Sequence, residues 1–266
     1  MQSVDSSNSI PENMMDFTLK TYKNLLNTLQ LQGYLFKTFE EFVVADNTQQ
    51  TVVLRHDVDR LPENALKMAR IENAMDIRAS YFIRIVPQAW DSEIISEIVD
   101  LGHEVAYHYE DLTIAKGEYE IAIQHFEKQL SMLRKFYPSK TICMHGSPLS
   151  RWDNRKLWKK YDYRDYGIIA EPYFDVDYSK VFYITDTGRS WNNNSVSVRD
   201  TVNSHFDIKI KSTNHMINLI KTDKMPDKIM INTHPQRWFH PGYGWVKELV
   251  MQNTKNVIKR FIIRSG

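Results

Sequence analysis

The sequence has little of several features that would each define a class of protein. Cys143 is its single cysteine, so an internal disulfide cannot form, which suits a reducing compartment. No apolar run reaches the length of a membrane span, and the polar segment 1–12 lacks the apolar stretch of a secretory signal. We therefore expect a cytoplasmic protein without a transmembrane segment.

An excess of charge of one sign is also lacking. The chain of 266 residues has 34 Lys and Arg against 33 Asp and Glu, well mixed along its length. A basic surface that would neutralise phosphates is therefore not expected, and nucleic acid is excluded as the expected partner. The hydrophobic content of 42% is typical of a globular protein. We predict a flexible tail over residues 1–13 and a single domain over 14–266.

Strand-like and helical patterns alternate along most of the chain. A helical pattern over residues 16–31 comes first, and Thr38 with Glu41 has the spacing of a capping box. Later helical patterns begin at Pro62 and span about 153–161. A longer one is ended by Pro138 and has on one face Tyr119, Ile123, Phe126, Leu130 and Leu133. The strand-like runs are 52–54, 81–86, 105–107, 141–144, 168–170, 181–185 and 228–232. This alternation predicts an α/β fold with a largely parallel sheet.

Polar side chains follow five of these strand-like runs. They are Arg55-His56-Asp57-Val58-Asp59, His108-Tyr109-Glu110-Asp111, His145, Asp186 with Arg189, and His234. The carboxyl ends of parallel strands converge on one rim, which is where active sites of such folds are built. The sequence therefore predicts one polar site at that rim.

Asp57 and Asp59 are two residues apart, which in an extended segment places both carboxylates on the same side. Two neighbouring carboxylates need a cation. One of them can bind a divalent metal while the other acts as a base, and His108 would supply an imidazole ligand. Zinc accepts such mixed nitrogen and oxygen ligands.

Each of these residues also has a purely structural interpretation. Asp57 and Asp59 could cap the helix that begins near Pro62. His145 could brace a turn, and His234 could be no more than the end of a strand. The coincidence of several such residues on one predicted rim favours the functional interpretation.

Two segments carry a family resemblance. Residues 102–108, with the sequence GHEVAYH, and residues 55–59, with the sequence RHDVD, are similar to two motifs of the polysaccharide deacetylase superfamily. This superfamily is also called NodB-homology or carbohydrate esterase family 4-like, and the chain resembles its divergent branch linked to surface-polysaccharide biosynthesis, over residues 52–238. The resemblance implies a distorted (β/α)7-type barrel with an N-terminal helical extension.

The resemblance also implies a role for each site residue. Asp57 would be the catalytic base and His234 the general acid, and Asp59 and His108 would bind a divalent metal ion, with Zn²⁺ expected. The family places a further metal-binding His four residues after His108, where this chain has Leu112. Asp111 is therefore expected as the third ligand, with Glu110, His145 or water as alternatives. The expected substrate-binding residues are His145, Asp186, Arg189 and Trp238.

These implied roles predict a metal-dependent hydrolase that removes an N-acetyl or other acyl group from an amino sugar. Asp57 would activate water, and His234 would protonate the departing amine. The expected substrate is an intracellular precursor of a surface polysaccharide, linked to a nucleotide or a lipid. Two alternatives stay open: an inactive sugar-binding barrel, suggested by Leu112, and a hydrolase of another non-peptide C–N bond.

Overall fold

The computed structural model of the chain describes residues 15–45, 48–146, 150–191 and 202–265, with side chains described as far as 257. The flexible tail predicted over residues 1–13 lies outside these ranges. Within them, no helix is both long and apolar enough to cross a membrane.

Seven parallel strands form one sheet. They are β1 (Leu35–Lys37), β2 (Thr51–Val58), β3 (Ser80–Ile83), β4 (Glu104–Tyr109), β5 (Ile142–Met144), β6 (Phe182–Thr185) and β7 (Lys228–Thr233). The strand order is β5-β4-β3-β2-β7-β6, and β1 pairs with the first residues of β2. The sheet curls into a half-barrel, so the predicted distorted (β/α)7-type barrel is confirmed.

Nine α-helices accompany the sheet among the described residues. They are α1 (Leu19–Leu31), α2 (Phe39–Val44), α3 (Pro62–Asn73), α4 (Ser92–Asp100), α5 (Asp111–Ile114), α6 (Tyr119–Leu133), α7 (Pro172–Asp175), α8 (Thr213–Lys221) and α9 (Tyr243–Ser265). Three 3-10 helices also occur, at Asn154–Lys159, Tyr163–Tyr166 and Pro235–Arg237. The N-terminal helical extension is α1, whose N-cap is Thr18.

The apolar core has two parts, one on each face of the sheet. A large cluster fills the space between the strands and the outer helices. A smaller one fills the barrel interior and includes Val53, Phe82, Ala106, Cys143 and Met230. Because side chains alternate along a strand, the residues two and four positions after these also face the interior. This alternation points the polar residues at the carboxyl ends of β2, β4, β5 and β7 into one space at that end of the barrel, which we call the hollow.

Three local predictions differ from the structure. Of residues 168–170, Ala170 alone forms an isolated bridge, with Thr141, in place of the expected strand. The helical pattern after Asp153 is a 3-10 helix. The N-cap of α3 is Leu61, with no side-chain cap, so Asp57 and Asp59 do not cap that helix as the structural interpretation required.

Candidate active site

Asp57 lies at the end of β2 in the barrel interior and is held on both carboxylate oxygens. Arg55 donates from Nε to Oδ1 at 2.9 Å and from a terminal nitrogen to Oδ2 at 2.6 Å. The Asn232 amide donates to Oδ2 at 3.1 Å. Burial disfavours the charged form, but the charge of Arg55 outweighs burial, so the pKa of Asp57 lies below its usual value. Asp57 is therefore ionised at neutral pH, as a general base must be.

Arg55 is itself buried, and it is the charge partner that the sequence interpretation left without a role. Its guanidinium lies 5.4 Å from the ring centre of Tyr173 and 5.9 Å from that of Phe82. Burial alone would lower its pKa, whereas the neighbouring Asp57 carboxylate raises it well above the usual value. The signal was present, because Arg55 precedes Asp57 by two residues and so faces the same side of the strand.

Asp59, His108 and His145 form a second group beside Asp57. The Asp59 Oδ1 atom lies 3.6 Å from His108 Nε2 and 3.5 Å from His145 Nε2. This Oδ1 atom is buried and has no hydrogen-bond partner among the described residues. Burial raises the pKa of Asp59, but His145, His234 and His108 together bring it below its usual value. An ionised oxygen thus faces two imidazole nitrogens.

In both His108 and His145, the ring nitrogen that faces away from Asp59, Nδ1, fixes the orientation of the ring. His108 Nδ1 lies 3.0 Å from the Cys143 carbonyl oxygen, which only accepts, so Nδ1 carries the proton. His145 Nδ1 lies 2.7 Å from Glu110, a carboxylate whose pKa is held below its usual value, against the effect of burial, chiefly by His145. Burial lowers the pKa of His108 to about 4. His108 Nε2 therefore presents a lone pair towards Asp59, and His145 Nε2 faces the same oxygen.

This donor set fits a divalent metal ion. Open zinc sites are built from such a set of one carboxylate oxygen and two imidazole nitrogens, with each imidazole held in place by a hydrogen bond to its other nitrogen. Asp57, His108 and Cys143 also offer atoms within 4.8 Å of one another, as do Asp59, His108 and His145. Because Arg55 occupies both oxygens of Asp57, the group around Asp59 fits the metal better.

The third ligand is where the structure differs most from the prediction. Asp111 accepts hydrogen bonds from the hydroxyl of Tyr107, at 3.0 and 3.1 Å, and pairs with His125. Tyr107 points away from the barrel interior, since it lies one residue before His108 on β4. Asp111 therefore lies on the other face of the sheet from Asp59, and His145 occupies the position expected for it.

His234 follows β7 and faces the same hollow. Its Nδ1 lies 2.6 Å from Asp186 Oδ1, and its Nε2 lies 4.0 Å from Asp59 Oδ2. Asp186 also accepts from Arg237 at 2.6 Å and from the Trp238 indole at 2.9 Å. Burial raises the pKa of Asp186, but Arg237 and His234 outweigh it and the pKa is lowered. An ionised Asp186 thus orients His234.

Three of the four residues expected to bind the substrate are instead buried: Asp186, Trp238 and Arg189. Asp186 is fully buried behind His234. The Trp238 ring is also fully buried and packs against Phe17, so it belongs to the core. The guanidinium of Arg189 lies 4.7 Å from the ring centre of Trp245 and 5.6 Å from that of Phe17. His145, the fourth, belongs to the group around Asp59.

Two residues of the site carried no sequence signal of their own. Gln236 donates to Asp59 Oδ2 at 2.9 Å. Arg84 pairs with Glu110 and so supports the carboxylate that orients His145. Asn232, by contrast, could have been found, because it precedes His234 by two residues and shares its side of β7.

No known protein-family model matches the sequence, and no curated protein matches it. Solved structures do resemble it. A carbohydrate esterase family 4 (CE4) esterase from Streptococcus mutans is 12% identical over 83% of this chain and 84% of that chain, with a TM-score of 0.43. The Bc1960 peptidoglycan N-acetylglucosamine deacetylase is 15% identical over 87% and 92%, with a TM-score of 0.41.

A mutant of BA3943, a CE4 family pseudoenzyme, is 13% identical with a TM-score of 0.41. The match covers 80% of this chain and 64% of that chain, so this chain spans less than two thirds of that protein. The three structures named here are thus an esterase, a deacetylase and a mutant of a pseudoenzyme.

Proposed function

We propose that this protein is a metal-dependent hydrolase that removes the N-acetyl group of an amino sugar, in a cytoplasmic precursor of a surface polysaccharide. One observation carries the proposal: Asp57, Asp59, His108, His145 and His234 come from four strand ends and meet in one hollow. Within that hollow, a buried carboxylate oxygen of Asp59 faces two imidazole nitrogens without a hydrogen-bond partner among the described residues.

A divalent metal ion, with zinc as the proposed ion, would be held by Asp59, His108 and His145, and when bound it would polarise the amide carbonyl and acidify water. Asp57 accepts the proton of the attacking water, because Arg55 keeps its carboxylate ionised and aimed into the hollow. The chain thus supplies its own base, already positioned by two hydrogen bonds.

His234 provides the proton that the departing amine requires. Its Nδ1 donates to the ionised Asp186, which fixes the ring so that Nε2 faces the hollow. Base and acid therefore approach a bound amide from separate strands, β2 and β7. The alternative of an inactive barrel was suggested by Leu112, which stands where a metal-binding His was expected. His145 can serve as the third ligand in its place, so this alternative loses its support.

The test separates the base from the metal ligand. Zinc-loaded Asp57→Asn protein should keep its metal and lose about 10²- to 10⁴-fold in acetate release from N-acetylated amino sugars, because a general base is removed. Asp59→Ala should lose the metal. Asp100→Asn, an exposed carboxylate on α4, is the control and should retain both.

Metal content by elemental analysis and acetate release by a coupled assay are the measurements. Full turnover in Asp57→Asn, or stoichiometric zinc in Asp59→Ala, would contradict the assigned roles.

A further inference from the structure

A cavity of about 630 Å³ lies beside the active site. It is lined by Asp153, by residues of the 3-10 helix Asn154–Lys159, by the segment 161–164 and by α7. This volume is within the range of sites that bind small molecules. The lining combines aromatic rings with four cations and three carboxylates.

The three carboxylates of the lining are occupied by neighbouring groups. Asp153 accepts two bonds from the Arg155 guanidinium, at 3.0 and 2.7 Å. Asp175 accepts from the Tyr163 hydroxyl at 2.6 Å and from Arg164 at 2.8 Å. Asp162 accepts from the backbone N–H of Arg164 at 2.9 Å. Arg155 and Arg164 therefore pair with these carboxylates, and the positive charges of Lys156 and Lys159 are left without a paired carboxylate among the described residues.

Lys156 and Lys159 are exposed on the cavity wall, and neither ammonium has a partner in the part of the chain that the structure describes. They are three residues apart on a 3-10 helix, where side chains at that spacing are eclipsed. With a rise of about 2.0 Å per residue, the two side chains leave the helix on one line about 6 Å apart. Such a pair suits an anion with two neighbouring charged groups, such as a diphosphate.

The cavity also presents a flat aromatic surface. Phe174 is 48% exposed, and its ring is stacked on Tyr163, with ring centres 6.2 Å apart and an angle of 17° between the planes. An exposed ring inside a cavity is a platform on which another planar ring can stack. Every nucleobase has such a planar face, whichever polar groups it carries on its edges.

Two contacts join this cavity to the active site. The Tyr173 ring lies between the guanidinium of Arg55, at 5.4 Å, and that of Arg155, at 5.3 Å. Asn154, the first residue of the 3-10 helix, donates to the carbonyl of His145 at 2.9 Å. From Asn154 to Lys159 the helix rises about 10 Å. Tyr173 thus lies between the cavity and the side chain that holds Asp57.

We propose that this cavity binds the nucleoside diphosphate part of a nucleotide-linked amino sugar. Lys156 and Lys159 bind the diphosphate, Phe174 stacks on the base, and the sugar extends past Tyr173 to Asp57. The inference rests on the proposed function for the sugar end of the ligand, but the nucleotide end can be tested by binding alone.

The experiment titrates the intact protein calorimetrically with uridine diphosphate, guanosine diphosphate and inorganic pyrophosphate. A Lys156→Ala/Lys159→Ala double variant should bind all three about tenfold more weakly or worse, because two charge-assisted contacts are lost. Phe174→Ala should weaken the nucleoside diphosphates and leave pyrophosphate unchanged. Matched controls are Lys23→Ala/Lys128→Ala and Tyr243→Ala, exposed residues outside the cavity, which should bind like the wild type.

Several outcomes overturn the inference. Wild-type protein that binds none of the probes, or a double-lysine variant that binds as tightly as its control, removes the site. If Phe174→Ala binds all three probes normally, the diphosphate belongs to another carrier, such as a lipid, and the nucleoside assignment fails. Nucleotide binding without acetate release from any N-acetylated sugar would instead contradict the proposed function and leave the cavity site intact.

Discussion

Glu110 and Asp111 are neighbours in the chain with opposite surroundings. Glu110 accepts from His145 at 2.7 Å and so orients a proposed metal ligand, whereas Asp111 pairs with Tyr107 and His125 on the other face of the sheet. Glu110→Gln should therefore weaken zinc binding about 10- to 100-fold, the usual effect of removing such an orienting carboxylate. Asp111→Asn is the matched control and should bind zinc like the wild type.

Competition with a zinc chelator measures both affinities. Equal losses in the two variants would show that Asp111 is a ligand after all and that His145 is not the third one.

The sequence predicted Asp57, Asp59, His108 and His234 because each follows a strand-like run, and the structure brings these four residues together. His145 also follows a strand-like run, but the sequence did not decide between it and Asp111 as the third metal ligand. His145 lies 37 residues beyond His108 and follows a separate strand, and the choice between it and Asp111 depends on which face of the sheet the chain leaves after β4. On the other face of the sheet Asp111 is bonded to Tyr107 and His125, contacts that spacing does not encode.

Helix α2 begins where a local sequence pattern, the capping box, predicted a helix start. The Thr38 side chain accepts from the Glu41 backbone N–H at 3.2 Å, and the Glu41 side chain accepts from the Thr38 N–H at 3.0 Å, which confirms the predicted capping box. Thr38→Ala should lower the free energy of unfolding by about 1 kcal/mol, since one capping bond is lost.

Urea unfolding gives this value, with Thr222→Ala, an exposed residue after α8, as the control with a smaller effect. A Thr38→Ala variant as stable as the wild type would show that packing alone, through the buried Phe39, holds α2 in place.

Long periodic elements were predicted well and short ones were not. One apolar face predicted helix α6, because a 3.6-residue period over four turns has few alternatives. The helix ends at Leu133, before the stop expected at Pro138. Strand β1 has three residues and no clear alternation, so nothing in the sequence distinguished it from a loop. Its position depends on pairing with β2, a contact between separate segments.

Glu171 links the stability of the folded protein to pH. It is fully buried, and burial raises its pKa to about 7, although backbone N–H groups of Met144 and Tyr173 donate to it. In the unfolded chain its pKa is about 4.3. Between these values the folded state binds more protons, so this group makes the protein more stable as pH falls from about 8 to 5.

The Glu171→Gln variant should lack this contribution. The difference in unfolding free energy between wild type and variant should change by about 1.2 kcal/mol per pH unit near pH 5.6 and by about 0.7 kcal/mol per unit at pH 7. Urea unfolding at several pH values measures it. Parallel stability curves for the two proteins would mean that the Glu171 carboxyl titrates at its ordinary pKa.

The alternation of strands and helices predicted a parallel sheet, and the rule that carboxyl ends of strands meet at one rim predicted the position of the site. The strand order was beyond the sequence, since β2 lies between β3 and β7, which are far apart in the chain. That order brings Asn232 and His234 of the β7 end next to Asp57 and Asp59, and so completes the hollow.

The most direct measurement is an X-ray structure of the protein crystallised with zinc, with anomalous data collected at the zinc edge. We predict one strong peak about 2.0–2.2 Å from Asp59 Oδ1, His108 Nε2 and His145 Nε2, with the carboxylate of Asp57 outside bonding distance and still bound to Arg55. A peak at Asp111, or no peak between Asp59 and the two histidines, would contradict the proposed metal site and the hydrolase built on it.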